Sequence, residues 1–168
     1  IPQVAGVGLP IDVVQRLRTA FPEQIVGIKD SSGVWENTSA LLDIDGLIVY
    51  PGSELPLIEA MDKGAPGCIS ATANLNAPSI ASVIETYRNG DRAAAASAHE
   101  KVKAFRLLLQ DYAPIPAQKR LLAMAADDPR LAVLRPPLEA MSEEAGRELA
   151  AALKSDHGFE AEPLLAMA

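Results

Sequence analysis

The sequence predicts an α/β fold built around a parallel β-sheet. Three short apolar runs alternate with amphipathic helical segments along the first 71 residues. The first two runs are almost uninterrupted by polar residues, which is typical of parallel strands buried on both faces. Two architectures satisfy such repeats, a doubly wound open sheet and a (β/α)8 barrel. The 168 residues are fewer than the roughly 200 that a complete barrel needs.

Each predicted strand and helix of this part has its own local signal. Pro10 stands at the first position of an amphipathic helix that ends before Pro22, and Gly64 ends the helix that follows the second strand. The predicted strands cover residues 24–29, 47–50 and 67–71, and the helices that alternate with them cover residues 10–20, 35–42 and 55–63.

The chain beyond residue 75 is predicted to be helical. Asn76 and Ser142 are residue types that cap the start of a helix, and Gly90 ends the first of these helices. A long helix over residues 91–112 carries apolar residues three and four positions apart, which forms one seam for packing. The predicted helices cover residues 76–88, 91–112, 117–126 and 142–154.

The composition is that of an ordinary globular protein, with 49% hydrophobic and 22% charged residues. The net charge of −7 leaves no basic surface for nucleic acid or for an anionic membrane, and no apolar run approaches the roughly 18 residues of a membrane span. The one cysteine, Cys68, favours a reducing compartment, and we expect the protein to be cytoplasmic. Because the chain begins at Ile1 without a methionine, we interpret it as part of a longer protein.

Lys29 is the most informative candidate for chemistry. Sites in parallel α/β folds lie at the carboxyl ends of strands, and Lys29 ends the first predicted strand, on one face with Gly27 and Ile25, while Val26 and Ile28 face the other way. If the lysine face is a barrel interior, burial lowers the pKa of the amine, so that it can attack a ketone and form an imine. Gly27 would then leave room for the substrate. The alternative is a lysine that extends from the strand end into water.

The other polar side chains near the predicted strand ends carry weaker signals. Ser70 and Thr72 could donate hydrogen bonds to a carboxylate, although hydroxyls at strand ends more often satisfy local backbone. Asp30 and Glu36 could be general acids, but loop carboxylates are typically solvated.

No motif for a cofactor is present. His99, His157 and Cys68 lie far apart in the sequence and form no metal-binding spacing. Gly6 and Gly8 lack the third glycine and the preceding strand of a dinucleotide-binding loop.

The sequence IVGIKDSSG at residues 25–33 resembles the Schiff-base signature of the dihydrodipicolinate synthase and N-acetylneuraminate lyase family of class I aldolases and lyases. Further stretches resemble landmarks of that family in the same order, from Ile1 to about Lys154. They are IPQVAG at 1–6, similar to the end of the fifth strand, GSE at 52–54 after the seventh strand, GCIS at 67–70 with Asn74 in the eighth-strand motif, and PIPAQK at 114–119 and RPPL at 135–138 in a C-terminal helical extension.

The resemblance implies the second half of a (β/α)8 TIM barrel, from the end of strand five to helix eight, followed by the C-terminal helical extension. On this basis residues 1–90 form the partial barrel, residues 91–156 the extension and residues 157–168 a peripheral tail. The family uses the lysine itself without a cofactor, and its members usually associate into dimers or tetramers. We therefore expect no cofactor and a homo-oligomer.

By the family pattern, Lys29 forms an imine with pyruvate or a related 2-keto acid, and Gly52, Ile69 and Ser70 line the substrate pocket. The implied function is that of a class I lyase or aldolase that makes or breaks a carbon–carbon bond. Val4 stands where the dihydrodipicolinate synthase subgroup usually has an arginine for the carboxylate of its second substrate, which predicts a different acceptor. Two alternatives stay open. One is a sugar-acid dehydratase that uses the same imine, and the other is a catalytically incomplete half-barrel that acts as an assembly or binding partner.

Overall fold

The computed structural model describes residues 1–157. The described residues divide into two compact units, of which the first contains residues 1–71 and 86–92 and the second contains residues 72–85 and 93–157. The predicted domain boundary at residue 90 stays a prediction, and residues 158–168 of the predicted tail lie outside the described residues.

The first unit contains a two-stranded parallel sheet. Its elements are α1 (Pro2–Ala5), α2 (Ile11–Ala20), β1 (Gly27–Asp30), α3 (Trp35–Leu42), β2 (Ile48–Pro51) and α4 (Leu57–Asp62). Gly27 of β1 pairs with Ile48 of β2, and Lys29 pairs with Tyr50, in parallel register. The parallel pairing and the alternation of strands with helices confirm the predicted α/β class.

The core of the first unit lies on one side of this sheet. It combines Val14 of α2 and Leu41 of α3 with Val49 of β2 and with Ile44 and Leu47 from the connection between α3 and β2. All five side chains are at most 8% exposed. The two amphipathic helices thus cover the sheet face to which Val49 belongs.

The other face of the sheet is exposed within the described chain. Ile48 is 48% exposed and Val26 is 56% exposed, so the prediction that these strands are buried on both faces is wrong for the described residues. The predicted orientation of Ile25 and Val26 is also wrong, because Ile25 packs against the core. Its N–H donates to the carbonyl oxygen of Phe21 at the end of α2, so this segment does not yet follow the alternation of β1.

Two predicted strand segments have a different structure. Residues 67–71 do not form a regular strand, although the N–H of Ile69 donates to the carbonyl oxygen of Pro51 at 3.0 Å. Such a bond continues the parallel ladder beyond β2 without the repeated pairing that defines a strand. The stretch that resembles the end of a fifth strand contains the single helical turn α1, which begins at Pro2, ends at Ala5 and is followed by Gly6 with a φ of 70°.

The second unit is helical, as predicted. Its elements are α5 (Ala73–Arg88), α6 (Arg92–Gln110), α7 (Pro114–Ala125), a 3₁₀ turn (Pro129–Ala132) and α8 (Glu143–His157). The last three residues of α5 and the first residue of α6 belong to the first unit. Asn76 has non-helical backbone angles inside α5, in agreement with its predicted place at a helix start. Ser142 also caps as predicted, since its hydroxyl accepts the N–H of Ala145 at 3.1 Å.

One seam of α6 organises the core of this unit. Phe105 and Leu109 of α6 pack with Leu121 of α7 and with Leu149 and Leu153 of α8, and each is at most 2% exposed. The predicted 3-4 spacing on α6 therefore does form a buried stripe. No helix among residues 1–157 is long and apolar enough to cross a membrane.

Candidate functional site

The carboxyl ends of β1 and β2 and the segment around Ile69 meet at one edge of the first unit. The carbonyl oxygen of Asp30 accepts the N–H of Gly52 at 2.7 Å, and the carbonyl oxygen of Pro51 accepts the N–H of Ile69 at 3.0 Å. These bonds place Lys29, Gly52 and Ile69 on three adjacent segments, as expected for parallel strand ends in an α/β fold.

Lys29 lies on the exposed face of β1, opposite the side that packs on α2 and α3. Its pairing with Tyr50, which is partly buried, puts the two side chains on the same face. The enclosure of the amine expected from the sequence is not formed by the described residues, because this face carries no covering layer. A catalytic role for Lys29 is therefore implied by the family resemblance alone and stays a prediction, while the structure places Lys29 at the end of β1.

Gly27 has a packing reason that the sequence did not reveal. A Cβ atom at this position would lie 2.6 Å from the carbonyl oxygen and 3.1 Å from the Cβ of Ile48 on the neighbouring strand. Gly27 thus permits a close approach of the two strands. Whether it also leaves room for a substrate stays a prediction.

Asp30 is a buried carboxylate held by its neighbours. Its side chain accepts hydrogen bonds from the hydroxyl of Thr38 at 2.5 Å and from the hydroxyl and the N–H of Ser32, both at 3.0 Å. Burial alone would raise the pKa of Asp30, but the bonds from Thr38, from Ser32 and from the Asn37 side chain outweigh it and lower the pKa. The expectation of a solvated carboxylate is therefore wrong for Asp30, which is 8% exposed, while Glu36 is exposed as expected.

A second buried carboxylate lies beside the segment that follows β2. Glu54 is 0% exposed and accepts a hydrogen bond from the hydroxyl of Ser70 at 2.5 Å. Ser70 does donate to a carboxylate, as the sequence suggested it could, but the carboxylate belongs to the protein.

Burial, and next the negative charge of Glu54, raise the pKa of Cys68 to about 12, which keeps this thiol protonated.

Gly52 and Ile69, two of the three predicted pocket residues, are used locally through their backbones. A Cβ atom at Gly52 would lie 2.9 Å from the Cα of Ser31, so a larger residue would push the two strand ends apart. The side chain of Ile69 is 47% exposed. Both residues thus border the strand-end edge, and whether they touch a substrate stays a prediction.

Sequence reasoning missed Thr38 as a partner of Asp30, and it named Glu54 only within the GSE stretch at residues 52–54, without its partner Ser70. Thr38 and Glu54 are both at most 4% exposed and polar, which is a combination that requires a hydrogen-bond partner nearby. The signal for Thr38 was its position in an amphipathic helix that directly follows Asp30. Among residues 1–157, no group of three or more His, Cys, Asp or Glu side chains is arranged to hold a metal ion.

This arrangement of strands, helices and strand-end residues is that of the second half of a (β/α)8 barrel with a helical extension. The chain matches the model of the dihydrodipicolinate synthetase family over residues 1–156, and it belongs to that family. It is 34% identical over 145 residues to an uncharacterized DapA-like lyase of Chloroflexus aurantiacus, with 86% of this chain and 48% of that protein covered.

Solved structures give the same result. The dihydrodipicolinate synthase of Agrobacterium tumefaciens matches with 30% identity and a TM-score of 0.75, covering 92% of this chain and 51% of that one. A dihydrodipicolinate synthase of Bacillus anthracis matches with 26% identity and a TM-score of 0.78, covering 92% and 52%. The chain thus spans about half the length of the relatives it matches.

Proposed function

We propose that this chain supplies the nucleophilic lysine of a class I lyase or aldolase, with Lys29 forming an imine with pyruvate or a related 2-keto acid. The observation that carries the proposal is the place of Lys29, at the carboxyl end of a parallel strand within the family signature at residues 25–33. Its neighbour across the sheet edge is the turn at Gly52, which is held to β1 by a backbone hydrogen bond.

The chemistry of the proposal follows from the amine. The unprotonated amine of Lys29 attacks the keto carbon, and the oxygen, which takes one proton from the amine and one from the solvent, leaves as water to give the iminium ion. The iminium ion accepts the electron pair of a bond to the carbon next to the imine carbon, so a proton can leave that carbon, or a carbon–carbon bond there can break, to give an enamine. In the reverse direction the enamine carbon attacks a second carbonyl group and forms the carbon–carbon bond. This reaction requires no cofactor, and in this proposal Gly52, Ile69 and Ser70 border the bound keto acid. The same proposal includes a homo-oligomer, a dimer or a tetramer, in the cytoplasm.

Reduction of the imine tests this proposal directly. Borohydride added with pyruvate should attach the three-carbon unit to Lys29, which peptide mass mapping locates. The test should use both the 168-residue chain and the longest open reading frame that contains it. Lys29→Arg, which keeps the charge but loses the primary amine, should abolish labelling. Lys101→Arg, the same change on the exposed surface of α6, should leave it unchanged. If pyruvate and larger 2-keto acids all leave Lys29 unlabelled, the proposal fails and a binding role of the half-barrel gains support.

A sugar-acid dehydratase that uses the same imine is the second candidate, because Val4 leaves the acceptor of the reaction undefined. The side-chain amide of Gln3 donates to the carbonyl oxygen of Ser32 at 2.8 Å, which holds α1 beside the loop that follows Lys29. Val4 on this turn is 83% exposed, and its side chain carries no charge that could bind the carboxylate of a second substrate. Product analysis after incubation with sugar acids separates the two reactions: loss of water without carbon–carbon cleavage supports the dehydratase, and cleavage into pyruvate and an aldehyde supports the lyase.

A further inference from the structure

The end of β1 is anchored to α3 through one carboxylate. Asp30 is the last residue of β1, and its Oδ2 accepts the hydroxyl of Thr38, one turn into α3, at 2.5 Å. The Thr38 hydroxyl also lies 3.5 Å from the carbonyl oxygen of Val34, but one hydroxyl proton is directed to one acceptor, and the shorter contact is to Asp30. Thr38 is 4% exposed, so water does not compete for this bond.

The same carboxylate orders the loop between the two elements. Ser32 donates its N–H to Oδ1 and its hydroxyl to Oδ2 of Asp30, each at 3.0 Å. The hydroxyl oxygen of Ser32 in turn accepts the N–H of Val34, the residue before α3. Asp30, Ser32 and Val34 therefore form a continuous set of hydrogen bonds from the strand to the helix. Because charged acceptors make stronger hydrogen bonds than neutral ones, these bonds hold the end of β1 to the start of α3.

The anchor acts on Lys29 through the backbone. Successive residues of a strand face opposite sides, so fixing the Asp30 side chain toward α3 directs the Lys29 side chain to the opposite face. The Asp30 carbonyl oxygen also accepts the N–H of Gly52 at 2.7 Å, which ties the same residue to the end of β2. Asp30 therefore fixes the strand end in two directions, through its side chain and through its backbone.

We propose that Asp30 and Thr38 are positioning residues that hold the strand end carrying Lys29 in place for imine formation. The proposal rests on the proposed function of Lys29 and adds a role for two residues that do not touch the reacting atoms. Loss of the Thr38 hydroxyl would leave the buried carboxylate of Asp30 without one of its hydrogen-bond donors. We expect this loss to disturb the backbone next to Asp30 more than the helices farther away.

Amide hydrogen exchange tests the anchor without any substrate. Thr38→Val keeps the shape of the side chain and removes the hydroxyl, so the amides of Ser32 and Gly52, both bonded to Asp30, should exchange about tenfold faster or more. Thr38→Ser restores the hydroxyl and should restore slow exchange. The matched control is Thr19→Val, which removes a hydroxyl bonded to a backbone carbonyl on the exposed surface of α2 and should change neither amide.

Two further measurements distinguish a local loosening at Asp30 from a loss of overall stability and from an effect on imine formation. Exchange at Val14, whose N–H donates to the carbonyl oxygen of Pro10 in the first turn of α2, reports opening of the same unit away from the strand end, and the predicted acceleration at Ser32 and Gly52 must exceed any change there. The rate of borohydride trapping at saturating pyruvate should fall about tenfold in Thr38→Val and recover in Thr38→Ser. Such a loss with an unchanged half-saturating pyruvate concentration indicates a misplaced nucleophile.

Each outcome decides one of the two proposals. If Thr38→Val exchanges like Thr19→Val at Ser32 and Gly52, the anchor does not exist and the inference is overturned. If the anchor loosens but trapping keeps its rate, Asp30 and Thr38 support the fold without positioning Lys29. If the wild-type protein is not labelled by any 2-keto acid, the proposed function fails, while the exchange measurement still decides whether the strand end is anchored.

Discussion

Replacement of Gly27 by alanine should separate the two strands at the candidate site. A Cβ atom at this position would stand 2.6 Å from the carbonyl oxygen of Ile48, and ordinary contacts begin at 3.4 Å. The strands would therefore have to move apart by about 0.8 Å, because the opposing atom belongs to the backbone and cannot rotate away. The neighbouring bond from the N–H of Ile48 to the carbonyl oxygen of Val26 is 3.1 Å long, and such a shift would stretch it beyond hydrogen-bonding distance.

The expected cost of Gly27→Ala follows from these contacts. Overpacking of a tightly fitted site costs about 1–3 kcal/mol, which includes weakened ladder bonds of roughly 0.5–1.5 kcal/mol each. For a chain of this length, 1 kcal/mol lowers Tm by roughly 2–4 °C, so Gly27→Ala should lower Tm by about 2–12 °C. Thermal unfolding followed by circular dichroism measures this shift, provided that unfolding is reversible.

Gly8→Ala is the matched control for this substitution. Gly8 does not have a positive φ, and its Cβ would meet only the Pro2 ring, at 3.9 Å. Alanine there should leave the stability unchanged or raise it by up to about 1 kcal/mol, because it restricts the unfolded chain. Equal Tm values for Gly27→Ala and Gly8→Ala would refute the interpretation that the close approach of the strands requires glycine.

Three further measurements address other parts of the structure. The lowered pKa of Asp30 means that its carboxylate contributes stability above its ordinary pKa of 3.8, and that this contribution is lost as the pH falls through the lower folded-state pKa. Asp30→Asn should therefore flatten the decline of unfolding free energy below about pH 4 in urea titrations, and an unchanged decline would contradict the assignment. Leu149→Ala, at a 0% exposed position of α8, should cost about 2–5 kcal/mol, whereas Leu131→Ala, at a 40% exposed position, should cost much less; similar costs would argue against the described core. With a pKa raised to about 12, Cys68 should have a thiolate fraction about a thousandfold below that of an ordinary cysteine near neutral pH, so a thiol reagent should react far more slowly with the native protein than with the urea-unfolded one.

The helices could be predicted from the sequence because their signals are local. The segment 35–42 coincides with α3, and the seam on α6 is buried as its spacing indicates. Caps and apolar periodicity depend on residues three or four positions apart, and these remain neighbours in the folded chain. The class of fold followed in the same way, from the alternation of such helices with short apolar runs.

The strand environment could not be predicted with the same success, since it depends on distant segments. Whether Ile48 is buried depends on which elements cover the second face of the sheet. The apolar run at residues 47–50, which contains Ile48, carries no information about those elements. The same holds for Gly27, where the neighbour that excludes a side chain is the backbone of β2, about 20 residues away in sequence. A glycine in a strand indicates a close approach, but the sequence does not say whether a substrate or another strand approaches.

Asp30 shows how alternation and burial together assign a role that residue type alone does not. The rule that places Gly27 and Lys29 on one face of β1 also places Ile28 and Asp30 on the other, toward α2 and α3, where Ile28 packs against the core. A carboxylate on that face requires donors, because burial without hydrogen bonds would force it to take up a proton. The donors come from the loop and from Thr38 of the helix that directly follows the strand. The lysine that faces outward and the aspartate that faces inward are therefore two parts of one strand end, and this is why we propose that the hydrogen bonds of Asp30 position Lys29.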